Sequence, residues 1–267
     1  MSRFLTLDPN KHGEMGWKPF DSLSYAAQDV CAPVVMAELS MLMPYYALAF
    51  ARTGEGSYRL VCLQGLYAGE NLVVSDAGKW RMPYIPSAYR GYPFILQPWE
   101  NEGETKFVLG FDTQSGLLRE TPDIDQGELT FFGPETGQPS EKVQGLLTFL
   151  NQRLQNELKT QKAVDLLAQA EVLQPMRWGF ESPDPDRALV KGFFGVDEKK
   201  LAALSPQQLS DMQVAGALLL AHSQLLSIPR VGMIKRLSEL AISQPAASLD
   251  DVEALFGGAD DTLKFDF

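Results

Sequence analysis

Near Pro139 the apolar residues of this chain change their spacing, and that change limits the fold more than any other feature of the sequence. Before it come short apolar runs of strand length: VVMAEL from Val34 to Leu39, ALAF from Ala47 to Phe50 and YRLVCL from Tyr58 to Leu63, bounded by Pro33, Pro44, Gly54 and Gly65. ENLVV, Glu70 to Val74, reads as a further strand, with turn chemistry at Asp76 and Gly78 that lets the chain return from Trp80 onward. KFVLGFD, Lys106 to Asp112, predicts one arm of a hairpin; TQSG supplies Gly116 for a positive φ before LLRE.

After Pro139 the period becomes helical. Val143, Leu146, Leu147, Leu150, Leu154 and Leu158 form one stripe, with Ser140 placed as N-cap and Glu141 in the first turn, where a negative charge is favoured. A second helix is expected through AVDLLAQAEVL, stopping before Pro175. MRWGF and RALVKGFFGV flank ESPDPD and read as a β-hairpin. Ser205 and Pro206 then open a helix through Leu209, Met212, Leu218, His222 and Leu226, and a shorter helix follows Pro229.

The expected fold class is therefore α+β: a mainly antiparallel β first half packed against helices of the second half. Residues 1–244 are read as one domain, with two domains meeting near Pro139 as the alternative, and 245–267 as a tail. That tail carries six acids against Lys264, with apolar anchors at Leu255, Phe256, Leu263, Phe265 and Phe267 set between them. It reads either as a frayed acidic terminus or as a segment that docks on a protein partner.

Charge narrows the partners. With 23 Lys+Arg against 34 Asp+Glu the net charge is −11, so the molecule's field repels phosphate backbones and no nucleic-acid partner is expected. The start of the chain lacks the apolar segment of a secretory signal, and no run approaches the roughly 18 uninterrupted apolar residues of a membrane span. A cytoplasmic protein without a membrane span is the expectation; the oligomeric state is open.

Catalytic motifs are sparse. Cys31 and Cys62 lack metal-ligand spacing and are read as buried thiols. His12 and His222 are the only histidines, so a two-histidine metal site would need an N-terminal loop and an apolar helix face at once; His222 is expected to pack in the core with one ring nitrogen satisfied, and no metal site is assigned. The chain contains neither a G-x-S-x-G elbow nor the glycine-rich loops that cradle nucleotides, so no cofactor is expected. Carboxylates in or beside strands, such as Glu38, Glu70 and Asp112, are read as turn formers or arginine partners.

The densest chemistry lies between Gly65 and Phe94. There Trp80, Tyr84, Tyr92 and Phe94 alternate with Arg90, with Glu70 and Asn71 upstream, and Pro83, Pro86 and Pro93 stiffen the backbone. Rigid rings beside a guanidinium fork suit recognition of a carboxylate or an aromatic face. Glu70, Asn71, Trp80, Tyr84, Arg90, Tyr92 and Phe94 are the candidate ligand-binding residues. The competing reading makes the same aromatics a core layer with Arg90 paired to Glu70 or Glu38.

PVVMAEL at Pro33–Leu39, LYAGENLVV at Leu66–Val74, Lys79–Trp80, YIPSAYRGYPF at Tyr84–Phe94, Phe111–Asp112 and KGFFGVDEKKLAAL at Lys191–Leu204 together resemble the SapC family of bacterial proteins. The resemblance runs from roughly Asp29 to Leu226; GENL followed by W, YIP and R-x-YPF is its most specific part. It implies association with surface-layer loci, near flavin-dependent halogenase-like and cupin-like proteins and outer-membrane receptors, and it carries no catalytic residues with it. The function expected is a noncatalytic accessory protein of surface-layer or envelope systems that recognises a peptide or small molecule. The alternative is an enzyme or enzyme subunit that modifies a peptide or small aromatic molecule with a partner-supplied cofactor.

Overall fold

The computed structural model describes residues 3–54, 57–101, 104–133 and 137–243. The tail anchors Leu255, Phe256, Leu263, Phe265 and Phe267 lie outside the described residues. The chain divides into two compact units, and each interleaves several segments. One holds Val34–Glu38, Pro86–Lys162 and the N-terminal stretch up to Asp21; the other holds Ser22–Pro33, Leu39–Ile85 and the chain from Ala163 onward. Sheets in the first half are antiparallel and the second half is dominated by helices, so the protein is α+β.

In the first unit, strand Glu104–Asp112 pairs with Phe94–Asn101 on one side and Phe4–Thr6 on the other. A second small sheet has Gly16–Trp17 between Leu118–Arg119 and Leu129–Thr130. The expected hairpin of Asp112 with LLRE therefore does not form: Gly116 does take a positive φ of 72°, but Leu118–Arg119 pairs with the other sheet. Asp112 explains the turn. Its Oδ1 accepts the Gln114 N–H at 3.0 Å, while Oδ2 receives two guanidinium bonds from Arg3 at 2.8 and 3.2 Å. The core is aromatic, with Trp17 stacked on Phe131 at 5.4 Å and Phe94 and Phe111 set edge-on around them.

Helix Glu141–Gln169 adds Val143 and Leu150 to that core. It is one helix where the apolar spacing predicts two, because the polar stretch between the stripes carries good helix formers and no glycine or proline. Ser140 precedes it, and the Ser140 hydroxyl donates to the Thr130 carbonyl at 2.8 Å.

In the second unit a five-stranded antiparallel sheet runs in the order Leu173–Pro175, Phe193–Val196, Leu48–Thr53, Ser57–Leu63, Cys31–Pro33. Its helices are Glu198–Ala202, Pro206–Val214, Ala217–Ser227 and Val231–Ser243. Ser205 and Gln208 form a capping box, as Ser205–Pro206 predicts. The single helix expected from there to Leu226 is broken at Gly216, whose φ of 76° places it in the left-handed region that favours glycine. VVMAEL is not a strand either. Met36–Glu38 is a 3₁₀ turn and Leu39–Leu42 a helical turn, since a short continuous apolar run suits a buried helix as well as a strand. ENLVV makes only a single bridge, Val74 to Trp80, around the predicted turn at Asp76–Gly78.

Helix Ala217–Ser227 docks on the sheet through polar side chains. The carboxamide of the fully buried Gln224 accepts the Val196 N–H at 2.9 Å and donates to the Leu48 carbonyl at 3.3 Å, bridging two strands where their ladder stops. Ser227 Oγ accepts the Leu48 N–H at 2.9 Å. A Cβ at Gly195 would meet the Gln224 amide at 3.2 Å, so glycine there leaves room for the bridge. His222, expected in the core, faces solvent instead; Nδ1 of its ring lies 2.8 Å from the Leu218 carbonyl one helical turn back.

The helical run Ala217–Ser243 is long and apolar enough, by length and composition, to cross a membrane, which the broken apolar pattern of the sequence does not suggest. Of its most apolar window 44% is buried inside the protein, and a core helix packed on a sheet meets the same criteria.

Candidate functional site

The residues singled out between Glu70 and Phe94 fall in both units: Glu70, Asn71, Trp80 and Tyr84 in one, Arg90, Tyr92 and Phe94 in the other. Asn71 is a buried turn clamp. Its Nδ2 donates to the Ala26 carbonyl and its Oδ1 accepts the Val73 N–H, both at 2.9 Å. Trp80 and Tyr84 do come together, around the buried Tyr46: the Tyr46 hydroxyl donates to the Tyr84 carbonyl at 2.6 Å and accepts the Trp80 indole N–H at 2.9 Å. Phe94, 3% exposed, belongs to the aromatic core rather than to a recognition surface. Tyr92 is half-buried and meets Phe20 edge-on at 5.9 Å; burial, and then the charge of Asp112, push its phenol up. Arg90 is exposed in the turn after Ser87–Tyr89.

Each of the two carboxylates expected near Arg90 has a partner that the sequence does not name. Glu38 binds Ser87, whose backbone N–H and hydroxyl both donate to the carboxylate at 2.9 Å. Glu70 binds Arg187, 117 residues away, at 2.8 Å.

That last pair leads to a hollow that the sequence reading missed. The segment 176–192 joins strands Leu173–Pro175 and Phe193–Val196 and is pinned along its length. At its ends Met176 N–H donates to the Phe193 carbonyl and Arg52 N–H to the Gly192 carbonyl, at 2.9 and 3.1 Å. In the middle, the Tyr67 hydroxyl accepts the Asp184 N–H at 3.0 Å and lies 2.9 Å from Ser182 Oγ. The Arg187 guanidinium lies over the Tyr67 ring, 3.9 Å from its centroid, while bonding Glu70. Val190 N–H donates to the Leu66 carbonyl at 2.8 Å, and the Val190 carbonyl accepts the Trp178 indole N–H at 3.0 Å. The block LYAGEN thus acts as the frame on which the loop is mounted, and Glu70 is a positioning residue.

The loop and strand line an open hollow of about 660 Å³, within the range of small-ligand sites. Its walls include Trp178, Phe180 and Phe193, and its polar residues include Arg52, Lys191 and Glu181. Trp178 meets Phe193 edge-on at 6.3 Å and tilts against Phe180 at 6.1 Å, the non-parallel geometry that ring quadrupoles favour. Lys235 Nζ lies 5.3 Å from the centroid of the Phe180 ring. The sequence signal was aromatics on both sides of a proline-rich segment, at 178, 180, 193 and 194; treating the segment as a plain hairpin hid it.

Cys31 pairs in register with Leu63 and is half-buried. Burial, and then the charge of Asp29, push its thiol up to about 11 from 9.0. Only the thiolate is nucleophilic, so at pH 8 Cys31 in the folded protein should alkylate with iodoacetamide about a hundredfold more slowly than in the urea-unfolded chain. Equal rates by mass spectrometry would contradict this environment. Because the folded value lies above the unfolded one, the neutral thiol's contribution to stability is full below about pH 9 and is lost as pH rises through about 11.

The aromatic hollow lies on a pinned loop of an α+β protein, and no three metal-ligating side chains cluster among the described residues. The sequence model of the SapC family matches residues 7–234. The chain belongs to the SapC family. No curated protein and no solved structure matches it.

Proposed function

We propose that this SapC-family chain is a noncatalytic accessory protein that binds a peptide or small molecule with an apolar, ring-bearing face, and that the Trp178 hollow is the ligand seat. The observation that carries this reading is the cluster of Trp178, Phe180 and Phe193 around about 660 Å³, on a loop fixed from Tyr67, Glu70 and Leu66. A loop held this way loses little conformational freedom when a ligand arrives, so more of the contact energy is left for affinity. Aromatic walls supply large contact area with few rotatable bonds. The link to surface-layer or envelope systems is supported by the family resemblance.

The probe is 1-anilinonaphthalene-8-sulfonate, whose emission rises on entering an apolar site. Wild-type protein should bind it saturably, and Trp178→Ala should weaken binding about tenfold or more, as for a buried aromatic anchor. Val214→Ser, at an exposed helix end away from the hollow's lining, serves as control and should bind as wild type. A Trp178→Ala protein that keeps its circular dichroism and binds the probe normally would remove the hollow as the seat.

A further inference from the structure

Resting on the reading of the hollow as the ligand seat, we infer that its ligand is an aromatic carboxylate: a ring that enters between Trp178, Phe180 and Phe193, with an anionic group read by Arg52 and Lys191. The chain is strongly acidic, at −11, yet the lining of this hollow reverses that sign. Arg52 comes from strand Leu48–Thr53 and Lys191 from the far end of the loop, 139 positions along the sequence; the bond from Arg52 N–H to the Gly192 carbonyl ties the two segments together, and both residues line the hollow. Lys235 adds a third cation at the Phe180 ring, but it is already paired with Glu239 at 3.4 Å.

Neither the Arg52 guanidinium nor the Lys191 ammonium has a hydrogen-bond or ion-pair partner among the described residues, and Glu181 is the sole carboxylate in the hollow's lining. Both cations line the one hollow, so an anion bound there meets two positive charges. The guanidinium fork matches a carboxylate in two parallel bonds, while the ammonium acts as a compact point charge. The same chemistry is offered by a small aromatic acid and by a peptide that ends in an aromatic residue.

The test uses the full chain and four probes: N-acetylphenylalanine, its primary amide, Gly-Gly-Phe and Gly-Gly-Phe amide, each titrated by calorimetry. Both acids should bind about tenfold more tightly than their amides. Arg52→Gln combined with Lys191→Gln should erase that difference, and Glu181→Gln should strengthen binding of the acids. Both cationic side chains are exposed, so the double variant should keep the wild-type melting temperature. Tighter binding of Gly-Gly-Phe than of N-acetylphenylalanine marks a peptide terminus as the source, and the reverse marks a small acid; each supports the assignment. Equal binding of acid and amide overturns the carboxylate while leaving the hollow as a seat for neutral aromatics. Absence of binding by all four overturns both.

Discussion

Replacing Glu38 by alanine should destabilise the protein by about 3–5 kcal/mol, the range for removing one side of a buried charged network. The side chain is only 5% exposed, and its carboxylate accepts from Val35 N–H at 3.0 Å, from Ser87 N–H at 2.9 Å and from Ser87 Oγ–H at 2.9 Å. Alanine strands all of them in a place that water does not reach readily, and each unsatisfied buried donor costs roughly 1–3 kcal/mol. Glu38→Gln keeps the volume but turns an N–H₂ toward a donor, so it should lose about half as much. In a protein of this length the alanine variant's melting temperature should fall by about 10 °C. A fall of only a degree or two would mean that the Val34–Glu38 segment is held by packing alone.

Replacing Gln224 by leucine should cost about 2–4 kcal/mol although leucine is apolar, similar in size and enters an apolar helix. The reason is the bridge between Val196 and Leu48, which an alkyl group cannot make. In a Gln224→Glu variant the new side chain still accepts from Val196 but sets a carboxylate oxygen against the Leu48 carbonyl, so this change should be at least as damaging. Urea denaturation of the three proteins measures this directly; unchanged stability of the leucine variant would show that the strands close without the amide.

These two side chains also show what was legible in the sequence. The change of period at Pro139, the strands around Phe50 and Leu60, Gly116 and the Ser205 cap were all visible, because each depends on residues within a few positions of one another. Glu38 as a turn former and Glu70 as an arginine partner were expected in kind, but the identity of Ser87 and Arg187 was not, since their separations of 49 and 117 residues leave no periodic trace. Gln224 sits in an apolar run and looks like a lapse in the pattern, when it is the element that joins helix to sheet. The Trp178 hollow was hidden for the same reason: its frame, LYAGEN, and its walls, near 178–180 and 193, are separated by more than a hundred residues. Aromatic density alone pointed instead to Trp80–Phe94, where Phe94 is core and Trp80 is engaged with Tyr46 and Tyr84.

The most direct measurement is a ¹H–¹⁵N spectrum of the indole groups during titration with N-acetylphenylalanine. Trp17, Trp80, Trp99 and Trp178 give four such signals, and Trp178→Phe assigns the one that matters. The Trp178 N–H is bonded to the Val190 carbonyl at the hollow, so its resonance should move and saturate while the other three hold still. A Trp178 signal that stays fixed while the ligand binds, or shifts at Trp80 or Trp99 instead, would contradict the hollow as the seat of recognition.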